Sequence, residues 1–353
     1  MIFLSICFVG NNIENNGFIR MIMKETYELT IIISSFNQAR YITKAIDSAL
    51  SQKVNFSAKI IIADDCSTRD HSKQIINEYA KKFENIEPVF SNENRGYLTN
   101  ILRAMERTRT KFFCVLDADD YWTDNGFLQR AYDFLSNHLD YSIYEANISV
   151  ISEDGKTYYP IVTKKRKPGT YSREMLLSGL SIPITQTTGM VFRNCIFSKG
   201  IPQIMKDAVG TLSERSFEGD TSRFIMHLKH GLAYYDNSIV GVYRKTREGI
   251  WNSLSESEKM IILARAYFDY YRYYGSHVGY FVNKSYRYLQ GFFEEKGKEI
   301  TGLTREKILL DEYEQMMVND VYHYCKDNEK VIAKGNNGIL NKVKRIKRIL
   351  LGQ

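Results

Sequence analysis

The sequence predicts an α/β protein: a mainly parallel central sheet flanked by helices, followed by a helical C-terminal extension. Three observations predict it. Between Leu29 and Trp122, apolar strand-like runs alternate with segments of helical periodicity. Polar clusters fall where those runs end, which is where open parallel sheets place their functional crevice. From Ser253 to about Val331 the pattern turns helical and Tyr-rich, with Tyr267, Tyr270, Tyr271, Tyr273 and Tyr274.

In order, Leu29–Ser34 is an apolar strand followed by a polar turn at Ser35, Phe36 and Asn37. A helix with Ile42, Ala45, Ile46, Ala49 and Leu50 on one face comes next. Lys59–Ala63 is the second strand, ending at Asp64 and Asp65; Ser67, Thr68 or Asp70 caps the helix after it. Pro88–Phe90 is a short third strand, and the helix Tyr97–Thr108 leads into a fourth, Phe112–Leu116. That strand ends in Asp117, Asp119 and Asp120. Clustered carboxylates repel one another and need a cation or solvent. Asp117 and Asp119, two apart at a strand exit, suit a hard divalent ion, Mg²⁺ or Mn²⁺, whose shell is completed by water and phosphates. A solvated acidic turn is the competing reading. The gathering of polar residues at three strand ends weighs against it.

Helix Asn125–His138 carries a packing stripe, and Tyr141–Ile151 with Lys156–Val162 flanks a hairpin signal at Glu153–Gly155. Lys164 to Lys167 is a charge run that reads as a solvated loop, and Thr187–Phe192 is a small-residue turn leading into a strand. Glu218 and Asp220 precede an amphipathic helix, where Asp220 serves at least as N-cap. A strand over Ser238–Tyr243 runs into Arg244, Arg247 and Trp251. The Tyr cluster reads first as bundle packing.

Composition removes several classes. Five scattered cysteines fit neither a zinc site nor a disulfide framework. The net charge of +7 is concentrated at the end: from Lys330 onward there are seven Lys or Arg and no acid, so the rest is close to neutral and a nucleic-acid surface is not expected. No Gly-rich phosphate loop follows the first strand, which sets aside dinucleotide oxidoreductases and P-loop ATPases. No stretch is long enough to span a bilayer. Ile339, Leu340, Val343, Ile346, Ile349 and Leu350 recur at helical spacing among Lys and Arg, so residues 339–351 fit an anionic membrane surface, with a protein partner or nucleic acid as the competing reading of the tail. The organisation expected is a disordered extension over 1–23, a catalytic domain over 24–252 with halves at 24–122 and 123–252, a helical extension over 253–331, and a tail helix over 332–353.

Four pieces in this order resemble the family 2 glycosyltransferases: Thr30–Asn37, Ala63–Thr68, Asn94–Gly96 with Asn100, and Leu116–Trp122. The resemblance implies the A-type nucleotide-sugar fold and an inverting, metal-dependent transfer from a nucleotide diphosphate sugar, a UDP-sugar, to a glycan or lipid-linked oligosaccharide in bacterial surface polysaccharide synthesis. The scattered cysteines fit a reducing, cytoplasmic compartment, and the basic tail a position peripheral at its membrane. Ser35, Phe36 and Asn37 would line the nucleoside pocket, Asp64 would accept from the base, and Asp65 would support that loop. Asp117, Ala118 and Asp119 would form the Asp-x-Asp motif, with Asp119 the direct metal ligand and Asp117 assisting. Arg95, Arg244 and Arg247 would neutralise phosphate; Trp122, Thr187, Thr188 and Trp251 would lie toward the acceptor. The base carries over to Asp220, with Glu218 second, because Gly219 separates what relatives show as an acidic pair. Cys66 stands where the family often has glycine, and Thr246 where it often has histidine. A metal-dependent nucleotidyltransferase and a non-catalytic sugar-nucleotide binding protein are the alternatives.

Overall fold

The computed structural model describes residues 27–152, 154–155, 158–163, 166–211, 213–246, 249–275 and 279–299. Its strands and helices run in the order β1 (Leu29–Ser35), α1 (Ile42–Leu50), β2 (Ala58–Asp64), α2 (Ser72–Lys82), β3 (Ile86–Phe90), α3 (Tyr97–Met105) and β4 (Phe112–Asp117). There follow β5 (Tyr121–Trp122), α4 (Phe127–Asn137), β6 (Tyr141–Ser152), β7 (Tyr158–Pro160), β8 (Gly169–Tyr171) and α5 (Arg173–Leu177). A 3₁₀ turn at Thr187–Gly189 leads into β9 (Met190–Arg193); α6 (Gln203–Ala208), α7 (Glu214–Glu218), α8 (Asp220–Leu228) and β10 (Leu232–Lys245) come next. Helices α9 (Glu256–Tyr274) and α10 (Gly279–Glu299) form the C-terminal region.

One sheet runs through the chain in the order β3-β2-β1-β4-β9-β6-β10-β5, with β7 and β8 added at β6 and β10. Strands β3, β2, β1 and β4 are parallel to one another, and β10 runs parallel to β6. β9 is antiparallel to both its neighbours, so the sheet is mixed where the second half of the chain joins it.

The sequence of β1, Leu-Thr-Ile-Ile-Ile-Ser-Ser, explains its place at the centre of the parallel half: every residue is buried. Side chains alternate between faces of a strand. Ile31 and Ile33 therefore enter the core under α1 and α4, while Ile32 enters the core shared with α3 and α8. Helix α1 buries Ile42, Ala45, Ile46 and Ala49 on one stripe. Crossovers through α1, α2 and α3 put every polar strand end of this half on one edge.

Several boundaries differ from expectation, the largest at β10, which begins at Leu232, six residues before Ser238. Helix α3 stops at Met105, and α8 begins at Asp220 with Gly219, not Asp220, at the N-cap. The Tyr-rich segment packs as expected for a bundle. The Tyr270 hydroxyl donates to the Ser216 carbonyl at 3.0 Å, Tyr274 donates to the Ile225 carbonyl, and Ser285 Oγ bonds the Ala264 carbonyl at 2.7 Å. Helix α9 starts on a complete capping box between Ser255 and Glu258. The tail over 339–351, the extension over 1–23 and Arg247 lie outside the described residues.

Candidate active site

Three strand ends and one helix start converge on the crevice. At the end of β1, Ser35 is buried and its Oγ has no hydrogen-bond partner among the described residues; the same holds for Asn37 Nδ2. Buried polar atoms rarely stay unpaired, so both mark a place for a polar ligand or water. Asn37 takes φ 52, a left-handed conformation that asparagine tolerates better than most residues. From there its side-chain carbonyl accepts the amides of Thr68 and Arg69, at 3.2 and 3.1 Å, joining the turns after β1 and β2. The Phe36 ring is partly exposed, with the Arg69 guanidinium 5.6 Å from its centroid.

Asp64 corrects one expectation. It is fully buried, and both its oxygens accept from Ser67, one from the backbone N–H and one from the hydroxyl. With no exposed surface, it shapes the turn in this conformation and does not face a base. That turn passes through Cys66 at φ 63, the region glycine would fill without strain. Cysteine here therefore keeps the glycine-like path and does not alter it. Asp65 accepts the amides of Arg95 and Gly96 at 2.8 to 3.1 Å and fixes the entry to α3, where Gly96 takes φ 88. The Arg95 side chain instead turns to Glu93 on the surface.

At the end of β4 the three aspartates divide into two kinds. Asp120 is buried and saturated: it accepts from Gln186 Nε2 at 3.0 Å, Thr188 Oγ1 at 2.8 Å and the Arg244 amide at 2.9 Å. It is a clamp between β4, the 3₁₀ turn and β10. Asp117 and Asp119 remain partly exposed to the crevice. Asp117 Oδ1 accepts from the Tyr97 hydroxyl at 2.7 Å. Burial pushes the Asp119 carboxyl up to about 6, and the charge of Asp117 adds to that. Asp117 is likewise raised by burial, with the Tyr97 bond and the Arg223 charge opposing. Two hard, crowded carboxylates that share a crevice and hold excess negative charge fit a divalent cation with one or two protein ligands and substrate oxygens completing its shell. Among the described residues no cluster of three metal-ligating side chains exists. Arg244 borders this pair: its Nε donates to the Asp119 carbonyl at 3.1 Å, and its guanidinium lies 4.8 Å from the Tyr41 ring centroid.

Across the crevice, Asp220 opens α8, with Oδ1 accepting from the Thr221 amide and hydroxyl at 2.6 and 3.1 Å. Burial raises its carboxyl, the Arg223 charge pulls it back, and Asp117 pushes it up again. The Gln186–Thr188 turn links the two sites: Gln186 Nε2 approaches Asp117 Oδ2 at 3.5 Å, and Thr187 Oγ1 accepts from Arg223 on the Asp220 helix at 2.7 Å. Glu218 is also partly exposed and is pushed up to about 7, chiefly by burial.

Trp122 and Thr188 correct a second expectation. Trp122 is 3 % exposed and its indole N–H donates to the Thr188 carbonyl at 2.7 Å, so the ring is no platform for a sugar. Thr188 is fully buried, and Thr187 Oγ1 accepts from Arg223 Nη2 at 2.7 Å. The 3₁₀ turn supports the crevice from beneath. Its Gly189 is required there, because a Cβ would meet the Ala146 carbonyl oxygen at 2.4 Å. Trp251, by contrast, is 41 % exposed beside exposed Ile250.

Sequence reasoning missed Tyr97, Gln186, Arg223 and Glu145. Gln186 directly precedes the Thr pair, and Arg223 lies three residues after Asp220, on the same helical face. Glu145 is a lone acid inside β6, fully buried, accepting from the Thr185 amide and hydroxyl at 3.1 and 3.3 Å. Burial pushes it up to about 8 from its ordinary 4.5, the Thr185 bonds opposing and the Asp220 charge adding. The folded chain thus holds a proton that the unfolded chain releases above about 4.5, and stability is lost as pH rises toward about 8. Glu145→Gln keeps an acceptor for Thr185 without the charge. Unfolding free energies from denaturant titration should match wild type near pH 4 and exceed it at pH 8 by on the order of a few kcal/mol.

A mixed α/β sheet with an acidic crevice at the end of its parallel half, flanked by a helical C-terminal region, is the A-type glycosyltransferase fold. Residues 30–200, just under half of the chain, match the model of glycosyl transferase family 2. An uncharacterized protein of Mycobacterium tuberculosis is 27 % identical over 227 residues, 64 % of this chain and 61 % of the relative, so this chain spans less than two thirds of that relative's length. A Bacillus subtilis glycosyltransferase named for teichuronic acid biosynthesis, TuaG, is 29 % identical over 127 residues, 36 % of this chain and 49 % of its own. Among solved structures, S. aureus TarS 1–349 in complex with UDP aligns with a TM-score of 0.55 over 91 % of this chain and 88 % of that one, at 17 % identity. The same fragment with UDP-GlcNAc aligns with a TM-score of 0.54 over 85 % of this chain and 81 % of that one. These likenesses show a shared fold. No described helix is long and apolar enough to cross a membrane.

Proposed function

We propose that the protein transfers a sugar, with inversion, from a UDP-sugar to a hydroxyl of a glycan or lipid-linked oligosaccharide in bacterial surface polysaccharide synthesis. The observation that carries this is the Gln186–Thr188 turn, which reaches Asp117 through Gln186 Nε2 at 3.5 Å and the Asp220 helix through Arg223 at 2.7 Å. The UDP and UDP-GlcNAc complexes of the TarS fold neighbour, and the teichuronic acid label of the TuaG relative, support the donor and the product class.

Asp220 would take the acceptor proton as the hydroxyl oxygen bonds the anomeric carbon, while the bond from that carbon to the diphosphate breaks and UDP departs. The mouth of β1, at Ser35, Phe36 and Asn37, would receive the nucleoside, and the unpaired Ser35 Oγ and Asn37 Nδ2 supply polar contacts for it. Arg244 stands beside Asp119, where phosphate oxygens would lie. Asp119, assisted by Asp117, would hold Mn²⁺ or Mg²⁺, whose charge when bound offsets that of the departing diphosphate. A panel of nucleotide sugars with Mn²⁺, scored for binding and slow hydrolysis, tests the reading. UDP-sugars should bind and turn over, whereas binding without any turnover would make the protein a sensor.

The basic amphipathic repeat over 339–351 supports a peripheral position on the cytoplasmic face of the membrane. The full chain should sediment with vesicles containing anionic lipid, less so at high salt, and a chain ended at residue 330 should not. Equal sedimentation of the two would remove that role from the tail.

A further inference from the structure

The largest fully buried side chain among the described residues is a charged one, Arg223. It lies one turn into α8, behind Asp220. Its Nη1 donates to the Glu218 carbonyl at 2.8 Å and its Nη2 to Thr187 Oγ1 at 2.7 Å, while Nε has no hydrogen-bond partner among the described residues. A buried guanidinium is costly unless opposite charge surrounds it. Here that charge comes from both sides of the crevice, since Asp117 and Asp220 each feel Arg223. The hydrogen bonds have a second consequence. Thr187 belongs to the turn whose Gln186 and Thr188 hold Asp120, and Glu218 closes the helix before Asp220.

We propose that Arg223 is a positioning residue: its fork ties the Thr187 turn to the Glu218–Asp220 junction, and its charge lets Asp220 stand ionised opposite Asp117. A base must be unprotonated when the acceptor arrives; the Thr221 amide and hydroxyl favour that form, while burial and Asp117 work against it. Asp220 is faced by Asp117 from the end of β4, and its charge reaches Glu145 in β6 and the Tyr270 hydroxyl of α9; Glu218, closing α7, stands two residues before it. Arg223 is the counter-charge carried on the helix of Asp220 itself. The significance for catalysis rests on the transferase reading; the ionisation does not.

The experiment is therefore read without turnover. In the full chain labelled with ¹³C at aspartate carboxyls, the Asp220 signal is assigned by its loss in Asp220→Asn and followed against pH. Arg223→Gln and Arg223→Met should raise the Asp220 midpoint by about 1 to 3 pH units. Arg223→Lys, which keeps the charge and loses the fork, should leave it near wild type, as should Thr187→Val. A midpoint unmoved in the neutral variants overturns the proposal. So does one that climbs in Arg223→Lys by the amount expected of them, which decides the matter even where neither neutral variant folds. UDP uptake with Mn²⁺, measured on the same wild-type sample, judges the transferase reading separately.

Discussion

Asp220→Asn should reduce sugar transfer, and slow hydrolysis of the donor, by about 10²- to 10⁴-fold, the range that general acid–base groups contribute. The substitution keeps the size of the side chain and its acceptor for the Thr221 amide, so α8 should form as before. It removes only the ability to take a proton. UDP binding with Mn²⁺ should stay close to wild type, because Asp220 lies across the cleft from the carboxylates assigned to the cation. The rate should also depend on pH in a definite direction. Burial raises the Asp220 carboxyl, so the protonated and inactive form persists above the usual aspartate range, and activity rises as pH climbs through the raised value. Glu218→Gln is the control. Glu218 has partial access to the crevice and is pushed up to about 7, so a loss in Glu218→Gln equal to that expected of Asp220→Asn would move the base to Glu218.

Asp119→Asn should have a different signature, with donor binding and turnover falling together. Asp119 is partly exposed to the crevice, and its carboxyl is unsettled by burial and by Asp117. An arriving cation relieves that crowding. A neutral amide offers it little, and the diphosphate of the donor then meets an uncompensated Asp117. Loss of electrostatic stabilisation of this kind costs about 10²- to 10³-fold in rate, ~3 to 4 kcal/mol. Asp120→Asn should behave differently again. Its carboxylate holds Gln186, Thr188 and the Arg244 amide, so the change should lower thermal stability before it alters metal binding. Three neighbouring aspartates thus separate into ligands and clamp.

Much of the parallel half was legible because its signals are local. The apolar runs at Leu29, Lys59 and Phe112 are buried on both faces, and the polar residues that end them are where parallel strands must present their function. That rule alone puts Asp117 and Asp119 at the exit of a strand, where they stay partly exposed, while Asp65 is buried. The rule does not say which acid at a strand end points outward, and so Asp64 and Asp120 could not be told from their neighbours. Both prove to be buried and saturated. The resemblance implies an acceptor-side Trp122; its indole N–H instead finds a carbonyl 66 residues away. The antiparallel insertion of β9 between β4 and β6 rests on pairing between distant segments, for which a four-residue strand leaves little sequence trace. Arg223 and Glu145 were invisible for the same reason. A lone charge within a helix or strand reads as surface until the tertiary fold buries it.

The central claim is that a cation held past the end of β4 receives the diphosphate of a UDP-sugar. Isothermal titration of UDP into the full chain, with Mn²⁺ and then with a chelator, tests it most directly. Uptake that requires Mn²⁺ in wild type and disappears in Asp119→Asn is the predicted result. Uptake that survives both the chelator and Asp119→Asn, or no uptake under any condition, would contradict it.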